Sequence, residues 1–540
     1  MNALSKPLFL ILTFALLTRI AGVAYGLPLW LVDDEPPFVL ASLKMLELKT
    51  LLPALHPADF KTVLYYPPYF SYLYLPFFAA LVGIKFLFYS GPAALFASYL
   101  LTDLSQFFII ARAINLMLGA ASVFLIYKIT ESIFQSSRAA LFAAFFVSTS
   151  LIHIALSMVS RHWLSVFFFT ALVLFWLSRP ALPNKTRYLL AVFSAGLGVG
   201  FAIINAVLIL LIAFWCLLYE KKHWLNLLKD KFFYKLYALF AGLAALPYLL
   251  YPGSLGFRAD VTTESAKTLW GALASPVFFA KTAAFSEPIL ILFAVLGLGF
   301  ALWRARNVFW TFFIFIYSYS VIFYLIFRFE PRFFMGILPL FIILAGYGFY
   351  EIQKRISSAA LSKLFMLLLL LPLIFVLQLG RLALKNDSRA LARSWAEKNL
   401  RAGTKIITLA RLTRLPTNKE AAREQKIIDP ASLRKVDLAD AELGEKNFHA
   451  LNLFDANNQN FYENLENYAK ENNYEYVIIQ PNYRNGQYFQ SMLEKGEELA
   501  AFGGGQTKLS LAESQFLANP LDLFKLKELG PEIKIYKINR

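Results

Sequence analysis

The chain has 540 residues, of which 58% are apolar and 16% are aromatic, and its net charge is +17. Apolar runs this frequent exclude an ordinary water-soluble protein and are typical of a chain surrounded by lipid. The distribution of the charge excludes nucleic-acid binding, which requires a contiguous basic stripe on a soluble face.

The basic residues of the apolar part fall in short loops between its apolar runs. Residues 1–380 hold 28 Lys and Arg against 14 Asp and Glu, whereas the rest of the chain holds 24 against 21. Basic loops mark the cytoplasmic side of a membrane protein. The sequence therefore predicts a transmembrane domain over 1–380 and a soluble α/β domain over 381–540. The basic loops lie at 178–187, 220–235, 303–307 and 353–363.

The first apolar run extends from Pro7 to Trp30. It is too long for the core of a signal peptide, so it predicts a retained transmembrane helix. Lys6 lies on the inner side, which places the first outer loop at 30–68. Within this loop, residues 38–52 are apolar but carry charges, and they predict a helix lying along the membrane interface.

Three acids, Asp33, Asp34 and Glu35, stand where the first helix leaves the membrane. Pro36 and Pro37 follow and restrict the backbone just beyond them. One interpretation is a solvated acidic surface. The other is a functional carboxylate, which takes a proton from a hydroxyl or helps to bind a divalent cation.

Next, the segment "TVLYYPPYFSYLYLPF" is rich in tyrosine and proline. It fits an aromatic belt at the membrane interface. In the functional interpretation, Tyr65 and Tyr66 line an outer cavity.

Further apolar runs predict thirteen crossings in all. An odd number places the C-terminal domain on the same side as the three acids. The apolar stretch 187–218 has basic loops at both ends, which predicts two short helices meeting near Gly198–Asn205. The other crossings are predicted near 69–88, 91–104, 105–127, 139–158, 161–178, 234–251, 286–303, 308–327, 331–350 and 357–379.

Charged residues recur at predicted outer ends of these helices. Arg161 and His162 interrupt one apolar run, and Glu330 and Arg332 interrupt another. Such residues are candidate functional groups, although an arginine can also reach the interface and Glu330 can simply pair with an arginine. A guanidinium suits a lipid phosphate. Arg258 in an outer loop is a further candidate of this kind.

The C-terminal part has the pattern of an α/β domain. An amphipathic helix is predicted over 387–400, with Asp387 or Ser388 as its cap. Strands are predicted at 404–410, 474–481 and 533–538.

Acids and arginines at one end of an apolar bundle suit a substrate with a polar head and an apolar tail, such as a polyprenyl-phosphate sugar. The leading hypothesis is a membrane glycosyltransferase. The alternatives are a flippase or transporter of lipid-linked sugars and a non-catalytic glycolipid-binding protein. A transporter is expected to carry ionisable residues near the middle of its helices.

A resemblance to a known family lies in these acids and in the segments "YYPPYFSYLYLP", "EPRFFMGILPLFIILAG" and "DSRALARSWAEKNLRAGTKI". The sequence resembles the GT-C glycosyltransferases. Within them it resembles the branch of protein O-mannosyltransferases and lipid A aminoarabinose transferases. The resemblance implies a polytopic fold with an extracytoplasmic C-terminal domain, in a plasma (inner) membrane. It also implies transfer of a hexose or pentose from a polyprenyl-phosphate donor to a hydroxyl acceptor, with inversion.

The resemblance implies roles for individual residues. Asp34 would be the base, and Glu35, with Asp33 beside it, would orient it or help to hold a metal. The resemblance implies no definite cofactor, and a divalent metal ion on Asp34 and Glu35 stays an open alternative. The donor phosphate would meet Arg332, Arg161 or Arg258, with His162, Tyr65, Tyr66 and Glu330 lining the pocket.

Overall fold

The chain is mostly helical, at 72%, and has a single described sheet near its C-terminus. Asp33, Tyr65, Arg258 and Glu330 lie outside the described residues. The structure, a computed structural model, describes residues 6–32, 34–64, 66–223, 229–255, 268–326, 331–430, 432–443, 447–453, 459–481, 496–503 and 519–538.

The first part of the chain forms α-helices joined by short turns. They are α1 Lys6–Ile20, α2 Pro36–Glu47, α3 Pro57–Phe60, α4 Tyr69–Leu87, α5 Phe96–Thr102, α6 Ser105–Phe134, α7 Ser137–Thr149, α8 Leu151–Ser157, α9 Trp163–Leu177, α10 Asn184–Val199, α11 Leu208–Phe214, α12 Lys231–Leu250, α13 Leu269–Ser286, α14 Pro288–Arg304, α15 Arg306–Ile326, α16 Leu338–Gln353, α17 Ala359–Met366 and α18 Leu370–Leu384. Turns of 3-10 helix lie at Pro53–Leu55, Ala93–Leu95, Ile203–Val207, Pro252–Leu255, Pro331–Gly336 and Leu367–Leu369, and a π-helical turn lies at Trp215–Tyr219.

Five described helices are long and apolar enough to cross a membrane, or six if the bent pair α7 and α8 is one span. These are α4, α6, α12, α15 and the run of α17 and α18. Most other predicted crossings coincide with shorter apolar helices, and α13 was not predicted. The chain is thus consistent with a multi-pass membrane protein, and the number of crossings stays a prediction.

The predicted crossing at 91–104 stays a prediction. It coincides with the short apolar helix Ala93–Thr102, of which α5 forms the last 7 residues, whereas a full span needs about 20 residues. α5 packs against helix α21 (Lys435–Leu443) of the C-terminal part, and the Ser98 hydroxyl donates to Glu442 at 2.7 Å. The apolar side chains of this segment also cover the end of α4, where the rings of Phe86 and Phe96 are 5.1 Å apart.

A break between α7 and α8 changes the direction of the chain by 58°. Ser150 caps α8, and its hydroxyl also donates to Glu287 at 2.8 Å. Because a carboxylate satisfies the exposed amides of a helix start, the break is stable within an apolar bundle. The bend directs the connection 158–162 towards the segment that follows α1.

Glycines allow the central helices to pack closely. A Cβ at Gly348 of α16 would lie 2.2 Å from the carbonyl oxygen of Phe293 in α14. On another side of α16, a Cβ at Gly346 would lie 2.6 Å from the Cβ of Ala143 in α7. Small residues at such contacts bring helix backbones together, as in other membrane bundles. α7, α14 and α16 therefore form a tight centre for the bundle.

The C-terminal part is a five-stranded sheet of order β2-β1-β3-β5-β4. β1 is parallel to β2 and β3, while β5 is antiparallel to β3 and β4. The predicted strands coincide with β1, β3 and β5, and the predicted helix is α19, capped by Asp387. The elements are α19 Ser388–Asn399, β1 Lys405–Thr408, α20 Lys419–Ile428, α21 Lys435–Leu443, β2 His449–Asn452, α22 Gln459–Glu463, α23 Leu465–Glu471, β3 Tyr476–Ile479, β4 Glu497–Phe502, the 3-10 turn Pro520–Lys525 and β5 Ile533–Lys537.

Glu424 of α20 joins three elements of this part. Its carboxylate contacts the His449 ring nitrogen Nε2 at 2.7 Å and accepts from the hydroxyls of Tyr468 and Tyr474 at 2.5 and 2.6 Å. Burial raises the pKa of Glu424, but these three hydrogen bonds outweigh burial and lower the pKa to about 2. The carboxylate is therefore ionised in the folded chain at any pH above that value.

Glu424→Gln is expected to destabilise the C-terminal part at pH 7. The pKa of Glu424 is lower in the folded chain than its ordinary value of 4.5. The ionised Glu424 therefore stabilises the fold fully above pH 4.5, and this contribution is lost as pH falls through about 2. Thermal unfolding of wild type and variant across this range is the measurement, with the exposed Glu497→Gln as control. If the difference in unfolding temperature between wild type and Glu424→Gln stayed the same on acidification, the ionised Glu424 would not be the source of the stabilisation.

Candidate functional site

Asp34 is the centre of a charged cluster at one end of the bundle. Its Oδ2 accepts from Arg161 at 2.7 Å and from Arg332 at 3.3 Å. Both guanidinium groups use the same oxygen, and no donor among the described residues contacts Oδ1. The Asp34 side chain is 13% exposed. One carboxylate oxygen is thus held by two cations and the other is available.

The backbone of Asp34 lies in the left-handed region, with φ of 66°, which aspartate adopts more readily than most residues. The amide of Glu35 closes a turn on the carbonyl of Val32 at 3.3 Å. Helix α2 begins at Pro36 directly afterwards, because proline is well suited to the first turn of a helix. The tight turn and the proline together hold Asp34 in place.

Asp34 is a carboxylate at every physiological pH. Burial raises its pKa, but the charges of Arg161 and Arg332, the hydrogen bond from Arg161 and the nearby His162 outweigh burial. The pKa of Asp34 is therefore held well below its ordinary value. In this arrangement Asp34 is a weak base, and its basicity will rise if another anion takes over its arginines.

Glu35 faces the interior instead. Arg112 of α6 binds it through two hydrogen bonds, Nε to Oε1 and Nη2 to Oε2, both of 2.7 Å. The amide of Ser160 donates to Oε1 at 2.7 Å as well. Both side chains are 0% exposed. The Glu35 oxygens are therefore engaged in a buried ion pair, and the expectation that Glu35 orients Asp34 or helps to hold a metal stays a prediction.

The adjacent acids Asp34 and Glu35 bind two adjacent residues, Arg161 and Ser160. Asp34 binds Arg161, and Glu35 binds the amide of Ser160. Asn115 supports the same connection, since its amide donates to the carbonyls of Val159 and Arg161 at 2.7 and 3.1 Å. The position of Arg161 relative to Asp34 is therefore fixed from both sides.

Arg332 comes from the 3-10 turn before α16. Its guanidinium carbon lies 5.6 Å from the ring centre of Trp163 and 5.7 Å from that of Phe333. Contacts with aromatic faces stabilise a guanidinium without using its donors. The Arg332 side chain is 18% exposed, so its charge is accessible from outside the cluster.

Aromatic rings cover the other side of the cluster. His162 lies 4.6 Å from Tyr66 and 4.6 Å from Trp163, measured between ring centres, and Tyr66 stacks on Phe38 at 5.1 Å. Burial lowers the pKa of His162 to about 3, an effect that Asp34 opposes and that Arg332 and Arg161 reinforce. His162 is therefore a neutral member of this wall.

The described residues do not fit a divalent cation. No group of three or more His, Cys, Asp or Glu side chains among them is arranged to hold a metal. Asp34 already carries two guanidinium groups, which repel a cation, and Glu35 is occupied by Arg112. An anion such as phosphate suits this cluster far better than a metal ion.

The structure brings together most of the residues singled out in the sequence: Asp34, Arg161, Arg332, His162 and Tyr66. It also adds Arg112 and Asn115, two buried polar residues of α6. Arg112 could have been found by charge balance. A lone arginine in an apolar helix requires a carboxylate partner, and three acids follow the first apolar run of the sequence.

No protein-family model matches the sequence, and no curated protein matches it. Among solved structures, the chain is similar to the oligosaccharyltransferase of Archaeoglobus fulgidus, with 15% identity over 88% of this chain and 67% of that one and a TM-score of 0.44. It is also similar to ArnT from Cupriavidus metallidurans, with 11% identity over 91% and 95% of the two chains and a TM-score of 0.45.

A third similar structure is the arabinofuranosyltransferase AftD from Mycobacteria, with 13% identity over 100% of this chain and 40% of that one and a TM-score of 0.42. These neighbours are GT-C glycosyltransferases, the superfamily that the sequence resembles. The identities and TM-scores are low, so a function for this chain has to rest on the geometry of its own site.

Proposed function

We propose that the chain is a membrane glycosyltransferase that moves a sugar from a polyprenyl-phosphate donor to a hydroxyl acceptor. Asp34 acts as the base, and Arg161 and Arg332 bind the donor phosphate. The single observation that supports this assignment most is the shared oxygen of Asp34, where two guanidinium groups meet. This arrangement gathers positive charge for a phosphate beside a carboxylate with one available oxygen.

The chemistry is a direct displacement. Asp34 Oδ1 takes the proton of the acceptor hydroxyl, whose oxygen forms a bond to the anomeric carbon. The bond from that carbon to the phosphate oxygen breaks, and the polyprenyl phosphate leaves with the electron pair. Attack from the face opposite the phosphate inverts the anomeric centre. Arg161 and Arg332 stabilise the negative charge that develops on the phosphate.

Donor binding activates the base in this scheme. In the free site the two arginines neutralise Asp34 and depress its basicity. The donor phosphate is an anion too, and it competes with Asp34 for the same guanidinium donors and draws them towards itself. The pKa of Asp34 then rises towards the range in which a carboxylate accepts a proton efficiently. The acceptor is therefore activated only when a donor is present.

The cluster is assigned to the extracytoplasmic face of a plasma (inner) membrane. Lys6 at the start of α1 and the basic segment 353–363 around the start of α17 are placed inside by the preference of basic loops for the cytoplasm. α1 and α18 both then lead outward, to the cluster and to the C-terminal part respectively. The C-terminal part would lie on the same side as the donor phosphate.

Arg332→Gln is expected to weaken donor binding. A charge-assisted hydrogen bond contributes about 1.5–3 kcal/mol, so loss of this one should raise the Kd for a polyprenyl phosphate about 10- to 100-fold. Titration of the purified protein with fluorescent polyprenyl phosphate measures the change, with the exposed Arg138→Gln as control. Equal affinity of both variants would remove Arg332 from the phosphate site.

The proposed function is tested by turnover. Purified protein in bilayer discs is incubated with a panel of radiolabelled polyprenyl-phosphate sugars and with lipid, polysaccharide and peptide acceptors. Release of polyprenyl phosphate together with a labelled acceptor supports the proposal. Movement of intact labelled donor across sealed vesicles, without its cleavage, would identify a transporter instead.

One observation favours that second candidate. α7 and α8 form a broken helix, and buried ionisable groups lie beside it: Glu287 at the break, and Arg19, whose Nη2 is 2.8 Å from His153 Nδ1. Discontinuous helices with such groups are found at transport sites. Transport would not require Asp34 to accept a proton, so the two candidates differ in their dependence on this residue.

A further inference from the structure

A continuous chain of buried polar contacts connects the charged cluster with the C-terminal part. The Tyr25 hydroxyl donates to the carboxylate of Asp387, the residue that caps α19. Nη1 of Arg112 donates to the carbonyl of the same Tyr25 at 2.7 Å and to that of Val23 at 2.8 Å. The other two nitrogens of Arg112 bind Glu35.

A second pair of residues reinforces the contact between the two parts. The amide of Gly26 donates to Asn386 at 2.7 Å. Asn386 stands two residues after the last residue of α18, with a left-handed φ of 72°. Leu412, in the segment after β1, packs on Leu29 and Leu31. The stretch after α1 is therefore held by the C-terminal part on one side and by Arg112 on the other.

Within the C-terminal part, Asp387 is itself firmly held. It accepts from Arg389 through Nε at 2.8 Å and through Nη2 at 3.0 Å. Its neighbour Ser388 donates its amide to the carbonyl of Leu529 at 2.8 Å. Asp387 is buried. A displacement of the C-terminal part would therefore be transmitted to Tyr25 rather than absorbed at Asp387.

We infer that the C-terminal part positions the transferase site through Tyr25, Arg112 and Glu35. This inference rests on the proposed function. In it, Tyr25 and Asp387 are positioning residues that never contact the substrate. Their contact fixes the backbone carbonyl to which Arg112 binds. Arg112 in turn orients Glu35, and Glu35 holds Ser160 so that the adjacent Arg161 meets Asp34.

The physical reason lies in the strictness of the geometry that Arg112 must satisfy. A guanidinium has a fixed planar array of donors. Arg112 donates four hydrogen bonds, to Glu35, Val23 and Tyr25, so a shift at the Tyr25 carbonyl has to be accommodated at Glu35. Catalytic groups displaced by about 1 Å lose much of their effect. A contact with a second domain would thus tune turnover without altering the phosphate ligands.

The test compares full-length Tyr25→Phe with Tyr474→Phe. Both changes remove a tyrosine hydroxyl that donates to a carboxylate, but Tyr474 donates to Glu424, away from the site. Asn386→Gly is a second variant, because it removes the Gly26 contact and glycine accepts the left-handed backbone. Hydrogen exchange of the peptide 158–162, turnover, donor affinity and the pH dependence of turnover are measured for each.

For Tyr25→Phe we expect faster exchange at the amide of Ser160 and turnover lower by about tenfold, with donor Kd changed by less than about twofold. Arg161, Arg332 and His162 are the described charged or titratable groups that face Asp34. If the contact with Arg161 loosens, the pKa of Asp34 rises, so the acidic limb of the pH profile should move to higher pH. Tyr474→Phe should leave all four measurements as in wild type.

Unchanged exchange at 158–162 in both Tyr25→Phe and Asn386→Gly would overturn the inference, whatever the activity. So would faster exchange combined with wild-type turnover and pH profile. If the wild type transfers no sugar but both variants exchange faster at Ser160, the proposed function is rejected and the coupling between the two parts is supported.

Discussion

Asp34→Asn is expected to lower sugar transfer about 10²- to 10⁴-fold, the usual contribution of a general base. The amide keeps the shape of the side chain but cannot accept the acceptor proton. It also no longer neutralises Arg161 and Arg332. A phosphate then meets two cations without a competing carboxylate, so donor binding should be retained or become tighter. Loss of turnover with tighter donor binding is a combination that simple misfolding would not produce.

Turnover and donor affinity of Asp34→Asn are measured beside Asp59→Asn. Asp59 lies in the same loop and is exposed, and its described contacts are long: 3.7 Å to Lys44 and 4.0 Å to His56. Its variant should therefore behave like wild type. If Asp34→Asn transfers sugar at the wild-type rate, Asp34 is not the base. If it still moves intact donor across a vesicle membrane, the transporter becomes the better explanation.

Glu35→Gln is expected to destabilise the folded protein by about 3–5 kcal/mol, the typical cost of leaving one partner of a buried ion pair alone. Arg112 would keep its charge in the interior, where no other carboxylate among the described residues contacts it. The amide of glutamine can accept from only one of its two sides. Thermal unfolding in detergent, followed by light scattering and tryptophan fluorescence, should show an earlier transition. Glu397→Gln, at an exposed pair with Arg393, is the control and should change little.

The double variant Glu35→Leu with Arg112→Met should recover part of this loss, because replacing both charges removes the uncompensated one. Recovery will be incomplete, since the carbonyls of Val23 and Tyr25 also lose a donor. A Glu35→Gln protein of wild-type stability without turnover would contradict the structural role. It would favour the direct catalytic role that the sequence alone suggests.

The segment 91–104 illustrates what an apolar composition leaves undecided. Apolar side chains predict burial, but they do not distinguish burial in lipid from burial against protein. α5 covers the end of α4 and contacts α21, more than 300 residues later in the chain. Helix α13 went unpredicted for a related reason, because its apolar residues follow a polar loop and are interrupted by Pro276.

The charged cluster also shows what local sequence predicts and what it leaves undecided. The sequence points to Asp34, Arg161 and Arg332, because charges at the ends of apolar runs stand out. Local patterns do not show that these residues meet, since they are 127 and 298 residues apart. Nor do they separate the roles of neighbouring acids. Asp34 and Glu35 are adjacent, yet one faces the cluster and the other the interior, because the turn before Pro36 directs them apart.

The sequence by itself determined that the chain is largely apolar and helical, that an α/β part follows residue 380, and which charged residues are unusual. These features depend on composition and short-range periodicity, which a linear chain carries directly. Only the tertiary structure decided which acid binds which arginine and how the C-terminal part contacts the stretch after α1. Hydrogen bonds and ion pairs depend on distances of about 3 Å between residues far apart in the chain, and packing alone sets those distances.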